Sequence, residues 1–135
     1  MFSLEQIKNA HSRVKTGADF PAYIQEMKKI GVQSYEHFVA DGHITYHGVS
    51  DFNLSGPSKW DSVPIALNGQ KERLKREIKI HQKGRTDYLT FCRHAAEAGV
   101  EKWIVDIQNM ICTYYDQAGR EMVAEPIPDA RAYSY

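Results

Sequence analysis

The chain of 135 residues has the length of one small domain, and folding is expected to bury roughly two-thirds of its unfolded surface. A quarter of the residues are charged and 42% are hydrophobic, which is typical of globular rather than disordered proteins. Because 17 basic residues balance 17 acidic ones, no overall charge attracts the chain to nucleic acid or to a membrane.

Residues 1–128 are predicted to form a single domain, and residues 129–135 a loose tail. No apolar run approaches the ~20 residues of a membrane span, and the first residues do not resemble a secretory signal. The sequence therefore predicts a cytoplasmic protein without a membrane partner.

Two short helices are predicted at the start of the chain. Residues 3–6 have the pattern of a capping box, and the apolar stripe that follows is expected to stop at Gly17. A second helix is predicted from Asp19 or Phe20, with Gly31 ending it.

Residues 33–49 are predicted to form a β-hairpin, because Asp41-Gly42 is a strong two-residue turn signal. Such a turn pairs Val39 with Ile44, and His37 with Tyr46, on one face. Residues 49–60 are expected to be a loop. Residues 63–67 alternate between apolar and other positions, but their proline cannot donate to a ladder, so they are predicted to be an edge strand.

Residues 101–126 form the longest β-type run, against which the rest of the chain is expected to pack. This run contains two sets of alternating apolar residues, which the two-residue period of a strand places on opposite faces. A β-bulge at Gln108–Asn109 would bring both sets to one face. The sets are Trp103, Val105 and Ile107, then Met110, Cys112 and Tyr114. Gly119 is expected to close a three-residue loop. The predicted cross-strand pairs are Tyr114 with Met122 and Cys112 with Ala124.

A basic helix is predicted between Asn68-Gly69 and Gly84, with only a narrow apolar face. Its basic side chains are predicted to form a docking face for an acidic protein segment or an anionic ligand, although a solvated surface would explain the same pattern. Nucleic acid is a further alternative, but the aromatic residues that single-strand binders use are absent there. The basic residues are Lys71, Arg73, Lys75, Arg76, Lys79, Lys83 and Arg85.

A fourth helix follows, with Thr86 as its predicted N-cap and Gly99 at its end. Together these elements predict an α+β fold. A mainly antiparallel sheet, made from two hairpins and an edge strand, is expected to pack against about four helices.

The run HQKGRTDYLTFCRHAAEAGVEKWIVDI and the later CTYYDQAGREMVAEPIP resemble the YdfO-like bacterial domain of unknown function. Members of that family are often labelled "phage envelope protein", and several lie in prophages. The resemblance covers nearly the whole chain and implies an α+β fold, but it supplies no reaction, substrate or cofactor.

The candidate reactive residues give no specific motif. Cys92 and Cys112 have apolar neighbours and no zinc-type spacing, so both are predicted to be buried and unbridged. His43 and His47 would lie about 13 Å apart along a strand, too far to share an ion. A Cys-His-Asp nucleophile set can be drawn from distant residues, but no local signature supports it. No cofactor and no metal site are predicted.

Two functions remain open. The first is a non-enzymatic interaction or regulatory module that docks through the basic helix. The second is a small enzyme or ligand-binding protein with a pocket between sheet and helices. The residues predicted around that pocket are Tyr88, Cys92, Trp103, Asp106 and Tyr114.

Overall fold

A computed structural model describes residues 1–14 and 19–127, and it has the predicted α+β fold. Within those residues, a six-stranded antiparallel sheet packs against four helices. The helices are α1 (Leu4–His11), α2 (Phe20–Lys29), α3 (Lys71–Gln82) and α4 (Tyr88–Glu97). The strands are β1 (Ser34–Phe38), β2 (Ile44–His47), β3 (Asn53–Ser55), β4 (Val100–Asp106), β5 (Ile111–Asp116) and β6 (Glu121–Pro126).

The strands lie in the order β3-β2-β1-β4-β5-β6, so the connection through α3 and α4 returns the chain to the middle of the sheet. Gly17 and the tail at 129–135, both subjects of predictions, lie outside the described residues. No helix within the described ranges is both long and apolar enough to cross a membrane.

The helices cover one face of the sheet. In β1, Tyr35 and His37 are buried, whereas Ser34, Glu36 and Phe38 between them are only half-buried. β2 and β5 alternate in the same way, as strands do when one face meets the core and the other meets water. The core therefore lies between this face and the helices.

The first two helices begin as their sequences predict. The Ser3 hydroxyl accepts a hydrogen bond from the Gln6 backbone, and the Gln6 side chain accepts one from the Ser3 backbone, which completes the capping box. In α2, Pro21 lies in the first turn, where its missing N–H costs nothing. Gly31, with φ +99°, follows the end of the helix.

The predicted two-residue turn between β1 and β2 is wrong. His37 pairs with Ile44, which leaves Val39 in a longer connection. Val39 donates its N–H to Glu101 O of β4, and Asp41 accepts hydrogen bonds from the His43 backbone and ring. These bonds hold residues 39–43 open. Each residue of β1 and β2 still lies on the predicted side of the sheet, because a register shift of two residues does not change the face on which a side chain lies.

The edge strand was also misplaced. Residues 63–67 form no strand; instead the Val63 N–H donates to Ala40 O and the Ala66 N–H donates to Ala96 O. The edge strand is β3, inside the segment predicted to be a loop. None of its three residues is β-branched or aromatic, so the sequence carries no strand signal there, and the segment is extended through its pairing with β2.

The two apolar sets of the C-terminal region meet on one face, but a chain reversal brings them together rather than a bulge. Residues 107–110 turn the chain back, and Trp103 pairs with Tyr114 across β4 and β5. Asp106 stabilises the turn, because its carboxylate accepts hydrogen bonds from the backbone and side chain of Asn109. The predicted single strand is therefore two strands.

The three-residue loop between β5 and β6 is confirmed, with Gly119 at φ +78°. A register shift between Tyr114 and Tyr115 changes the predicted pairs. Consequently Tyr114 pairs with Val123 and Cys112 with Glu125. Ala124, predicted to face the core, is exposed.

The N-cap of α4 is Asp87 rather than the predicted Thr86. The Asp87 carboxylate accepts a hydrogen bond from the Thr90 backbone. The Thr90 side chain and then this backbone contact lower the pKa of Asp87. Gly99, with φ +90°, ends the helix as predicted and leads directly into β4.

Candidate functional site

A cavity of about 120 Å³ lies on the core face of the sheet, between the helix pair α1/α2 and the pair α3/α4. α1 packs against α2, and α3 packs against α4. Side chains of His11 and Tyr23 line the cavity from the first pair, and those of His81 and Phe91 line it from the second. The sheet forms the floor between them.

Strand register places the residues of the floor in two rows. The first row runs across the sheet from Ile44 through His37 and Trp103 to Tyr114. A second row, two residues further along each strand, contains Tyr35, Cys112 and Glu125. All seven side chains line the cavity. Cross-strand neighbours share a face, so the floor follows from the register.

Trp103 lies at the centre of the cavity wall. The His37 ring stacks on its indole, with ring centroids 4.0 Å apart and an interplanar angle of 12°. Phe91 and Tyr114 contact the same indole, each with a centroid distance of 5.6 Å. Stacked and tilted rings in this arrangement attract each other, and they leave flat apolar surfaces toward the cavity.

The polar part of the site is a chain of hydrogen bonds that begins at Lys59 and ends at His37. The Lys59 ammonium donates to Tyr88 Oη over 3.3 Å, and Tyr88 Oη bonds His37 Nε2. Although Lys59 belongs to an exposed segment, its ammonium therefore lies beside the cavity wall. Burial lowers the pKa of Lys59, and the nearby Cys92 and Asp41 partly oppose that effect.

The imidazole of His37 is uncharged. Burial, followed by the charge of Lys59, lowers the pKa of His37 well below its usual range, so the imidazole is neutral. A hydrogen bond of the ring with its own backbone partly opposes this effect on the pKa. Either ring nitrogen of a neutral imidazole can carry the proton, and the contact between Tyr88 Oη and His37 Nε2 forms in both tautomers.

Two buried polar atoms of residues that line the cavity have no hydrogen-bond partner among residues 1–14 and 19–127: Tyr23 Oη and His37 Nδ1. Tyr23 is 5% exposed and His37 is 2% exposed. Burial raises the pKa of Tyr23, and the Tyr46 phenol adds to this effect without forming a hydrogen bond of normal geometry. An unsatisfied buried polar atom typically costs about 1–3 kcal/mol.

The two remaining histidines of the cavity are neutral as well. Burial lowers the pKa of His11, with a further contribution from Lys59, and burial also lowers that of His81.

Glu125 is at the opposite end of the floor, three strands from His37. At about 4.8 Å between strands, this separation is roughly 14 Å.

Three of the five residues predicted around a pocket line this cavity, and two do not. Tyr88, Trp103 and Tyr114 form part of its wall. Cys92 lies outside it and lines a separate depression beside Trp60. Asp106 is the last residue of β4 and has the parity of the open face.

The two thiols are buried and free, as predicted. Burial raises the pKa of Cys92 and of Cys112 to about 12, so neither forms a thiolate readily at neutral pH. Among the described residues, no three His, Cys, Asp or Glu side chains are placed to hold a metal ion together.

The predicted basic face lies on α3 and the residues that follow it, away from the buried Leu74 and Ile78. Arg73 is half-buried and forms an ion pair with Glu97. Six of the seven basic residues are exposed: Lys71, Lys75, Arg76, Lys79, Lys83 and Arg85.

Sequence reasoning missed the residues that give the cavity its polarity. His11 and Tyr23 were assigned only to apolar helix stripes, and Lys59 to a loop. One signal was available for His37, because a histidine at a core position of a strand needs a partner in the interior. The sequence contained no signal that joined it to Tyr88 or to Lys59.

The architecture defines the class: an α+β domain with helices on one face of an antiparallel sheet and an aromatic cavity between the two layers. The family model described as "Protein of unknown function (DUF1398)" matches residues 8–126, and the chain belongs to this family. The match extends from α1 to β6 and so includes nearly all of the cavity wall. No curated protein matches the sequence.

The neutral histidines predict how stability depends on pH. In the unfolded chain a histidine binds a proton near pH 6.5, whereas folded His37 does so only at lower pH. The unfolded state therefore binds more protons in that window, and stability falls as the pH decreases from 6.5. We expect a loss of about 1.4 kcal/mol per pH unit for each histidine that stays neutral.

Urea denaturation between pH 7.5 and 4.5 measures this effect, because ordinary carboxylates titrate mainly below that range. A free energy of unfolding that stays constant over the window would show that the histidines are not buried as described.

Proposed function

We propose that this protein is a small-ligand-binding protein whose cavity takes a molecule of the size of a single aromatic ring. The observation that carries this proposal is the cavity between the helix pairs, with Trp103 and Phe91 in its wall and two unpartnered polar atoms. An apolar cavity of about 150 Å³ in another protein holds a benzene molecule. A volume near 120 Å³ is of the same order.

The same features favour binding over catalysis. Burial raises the pKa of both thiols to about 12, so within residues 1–14 and 19–127 neither cysteine is an activated nucleophile. A regulatory module that senses a small molecule fits these features. We also propose that the protein is related to the YdfO-like proteins and originates from a prophage. The resemblance of its sequence to that family supports this part of the proposal.

The proposal predicts that toluene or phenol stabilises the protein. A ligand at ten times its dissociation constant raises the free energy of unfolding by about 1.4 kcal/mol, which is a few °C in Tm for a domain of this size. Differential scanning fluorimetry at millimolar ligand concentration measures the shift.

A matched pair of variants locates the binding site. Cys112→Leu adds volume on the cavity floor and should abolish the shift, whereas Thr113→Leu adds similar volume on the open face and should preserve it. If phenol stabilises Cys112→Leu as much as the native protein, the ligand binds elsewhere. If neither ligand stabilises the native protein, the cavity is a packing feature.

The basic face of α3 supports a second proposal, that an acidic protein segment docks there. The supporting observation is that six basic side chains are exposed on one surface of a chain whose net charge is zero. Reversal of Lys75, Arg76 and Lys79 to glutamate should leave the fold intact and abolish binding of a polyglutamate peptide, which should also weaken as salt increases. Unchanged affinity for that peptide would make the face a solubilising surface.

A further inference from the structure

We infer that the ligand of this cavity is a protonated aromatic amine, with its ring against Trp103 and Tyr114 and its ammonium group at Glu125. This inference rests on the proposed function, since it specifies the chemistry of a ligand in the same cavity. Benzylamine is the simplest molecule with these two groups, and it serves as the probe.

The charge of the cavity wall carries the inference. Among the described residues that line the cavity, Glu125 is the one whose side chain is charged at neutral pH. The three histidines of the wall are neutral, because burial lowers the pKa of each. Burial also raises the pKa of the wall's tyrosines and of the Cys112 thiol, so these groups stay protonated. The described part of the wall therefore carries a net negative charge.

The Glu125 carboxylate has no counterion in the described part of the chain. Within residues 1–14 and 19–127 it forms neither a hydrogen bond nor an ion pair, although the residue is half-buried. By contrast, the Glu36 carboxylate is 3.0 Å from the Lys102 ammonium. A carboxylate that is partly removed from water is stabilised by a paired cation, which a bound ligand can supply.

Strand register and electrostatics both place this carboxylate beside the floor of the cavity. Glu125 is directly opposite Cys112, and Tyr114 is its diagonal neighbour on the same face, roughly 7–8 Å away. Burial raises the pKa of the Cys112 thiol and of the Tyr114 phenol, and the negative charge of Glu125 raises both further. The field of the carboxylate thus reaches two buried groups of the floor.

The apolar part of the wall next to Glu125 accommodates the ring. Trp103 contacts Tyr114 and Phe91, each at a centroid distance of 5.6 Å, and the three rings are tilted against one another. A ring that lies over Trp103 and Tyr114 would put an attached methylammonium group on the side of Glu125. The faces of these aromatic residues attract a cation as well, so both contacts favour an amine.

The nearest basic group known beside the wall is at the other end of the cavity. The Lys59 ammonium donates to Tyr88 Oη, which bonds His37 of β1. Glu125 of β6 is three strands from β1, a separation of roughly 14 Å. At that separation the repulsion of a ligand cation by Lys59 is weak beside the attraction of Glu125.

Isothermal titration of four ligands with the same ring tests the inference: benzylamine, benzyl alcohol, toluene and benzoate. We expect benzylamine to bind about tenfold more tightly than benzyl alcohol or toluene, and benzoate to bind most weakly because its carboxylate meets Glu125. Toluene binding as tightly as benzylamine, or benzoate binding most tightly, would overturn the assignment while leaving a ligand cavity in place. No binding by any of the four would overturn the cavity proposal as well.

The Glu125→Gln variant provides the second readout. It keeps the shape of the side chain and removes its charge, so benzylamine affinity should fall about tenfold while toluene affinity stays unchanged. Glu121→Gln is the matched control, because Glu121 is an exposed residue of the same strand outside the cavity wall. Unchanged benzylamine affinity in Glu125→Gln, or an equal loss in Glu121→Gln, would contradict the inference.

Discussion

Replacement of Gly99 by alanine is expected to destabilise the protein by about 3–5 kcal/mol, a large fraction of the stability of a small domain. Gly99 has φ +90°, a region that residues with a side chain avoid. A Cβ atom there would lie 2.7 Å from both Asn68 O and Gly69 Cα. Both contacts are with backbone atoms, so no side-chain rotation relieves them.

Gly119→Ala separates the two causes of this loss. Gly119 has φ +78°, but a Cβ atom added there meets nothing within 4 Å. The backbone strain alone should cost about 1–2 kcal/mol. Chemical denaturation of both variants measures the difference. If both variants lose the same free energy of unfolding, the loop at Asn68 moves away freely and the connection between α4 and β4 is not tightly packed.

Truncation of Tyr114 to alanine is expected to cost about 3–5 kcal/mol, as loss of a large buried aromatic side chain does. Tyr114 is 7% exposed, and its ring contacts the Trp103 indole. The adjacent Tyr115 points to the open face, so Tyr115→Ala should cost roughly 1 kcal/mol or less.

The same urea titration applied to both tyrosine variants tests the register of the C-terminal strands. Similar losses for Tyr114→Ala and Tyr115→Ala would show that β5 does not present alternate residues to the core. Truncation of Tyr114 should also weaken the binding of any ligand in the cavity, because the Tyr114 side chain lines the cavity wall.

Local signals were sufficient where a short stretch determines its own structure. The capping box at Ser3 and the glycine at the end of α4 each satisfy groups within a few residues, so the sequence specifies them directly. The face of each strand was also predictable, because period-2 alternation survives an error of two residues in register. Val39 and Ile44 were thus predicted to share a face, and both are buried although they do not pair with each other.

Predictions failed where distant parts of the chain decide the structure. The parity break after Ile107 was correctly detected, but a bulge and a reversal both shift parity, and only the pairing of Trp103 with Tyr114 distinguishes them. Likewise, Val39 leaves the first turn because Glu101 of β4 accepts its N–H. Neither contact is visible in the local sequence.

The candidate site could be predicted only in part for the same reason. Aromatic residues of α4, β4 and β5 were expected to meet, and Tyr88, Trp103 and Tyr114 do line one cavity. The polar part of the wall joins His11, Tyr23, His37 and Tyr88, from α1, α2, β1 and α4, with the ammonium of Lys59 from a loop. Each of these residues has an ordinary role in its own segment, so the site exists only in the folded chain.

A crystal structure of the protein soaked with iodobenzene would locate a ligand in the cavity, because anomalous scattering identifies the iodine position independently of the fitted coordinates. We expect an iodine peak between the helix pairs, within van der Waals distance of Trp103, Phe91 or Tyr114. A native cavity that shows no anomalous peak at saturating iodobenzene, or a peak found only on the protein surface, would contradict this expectation.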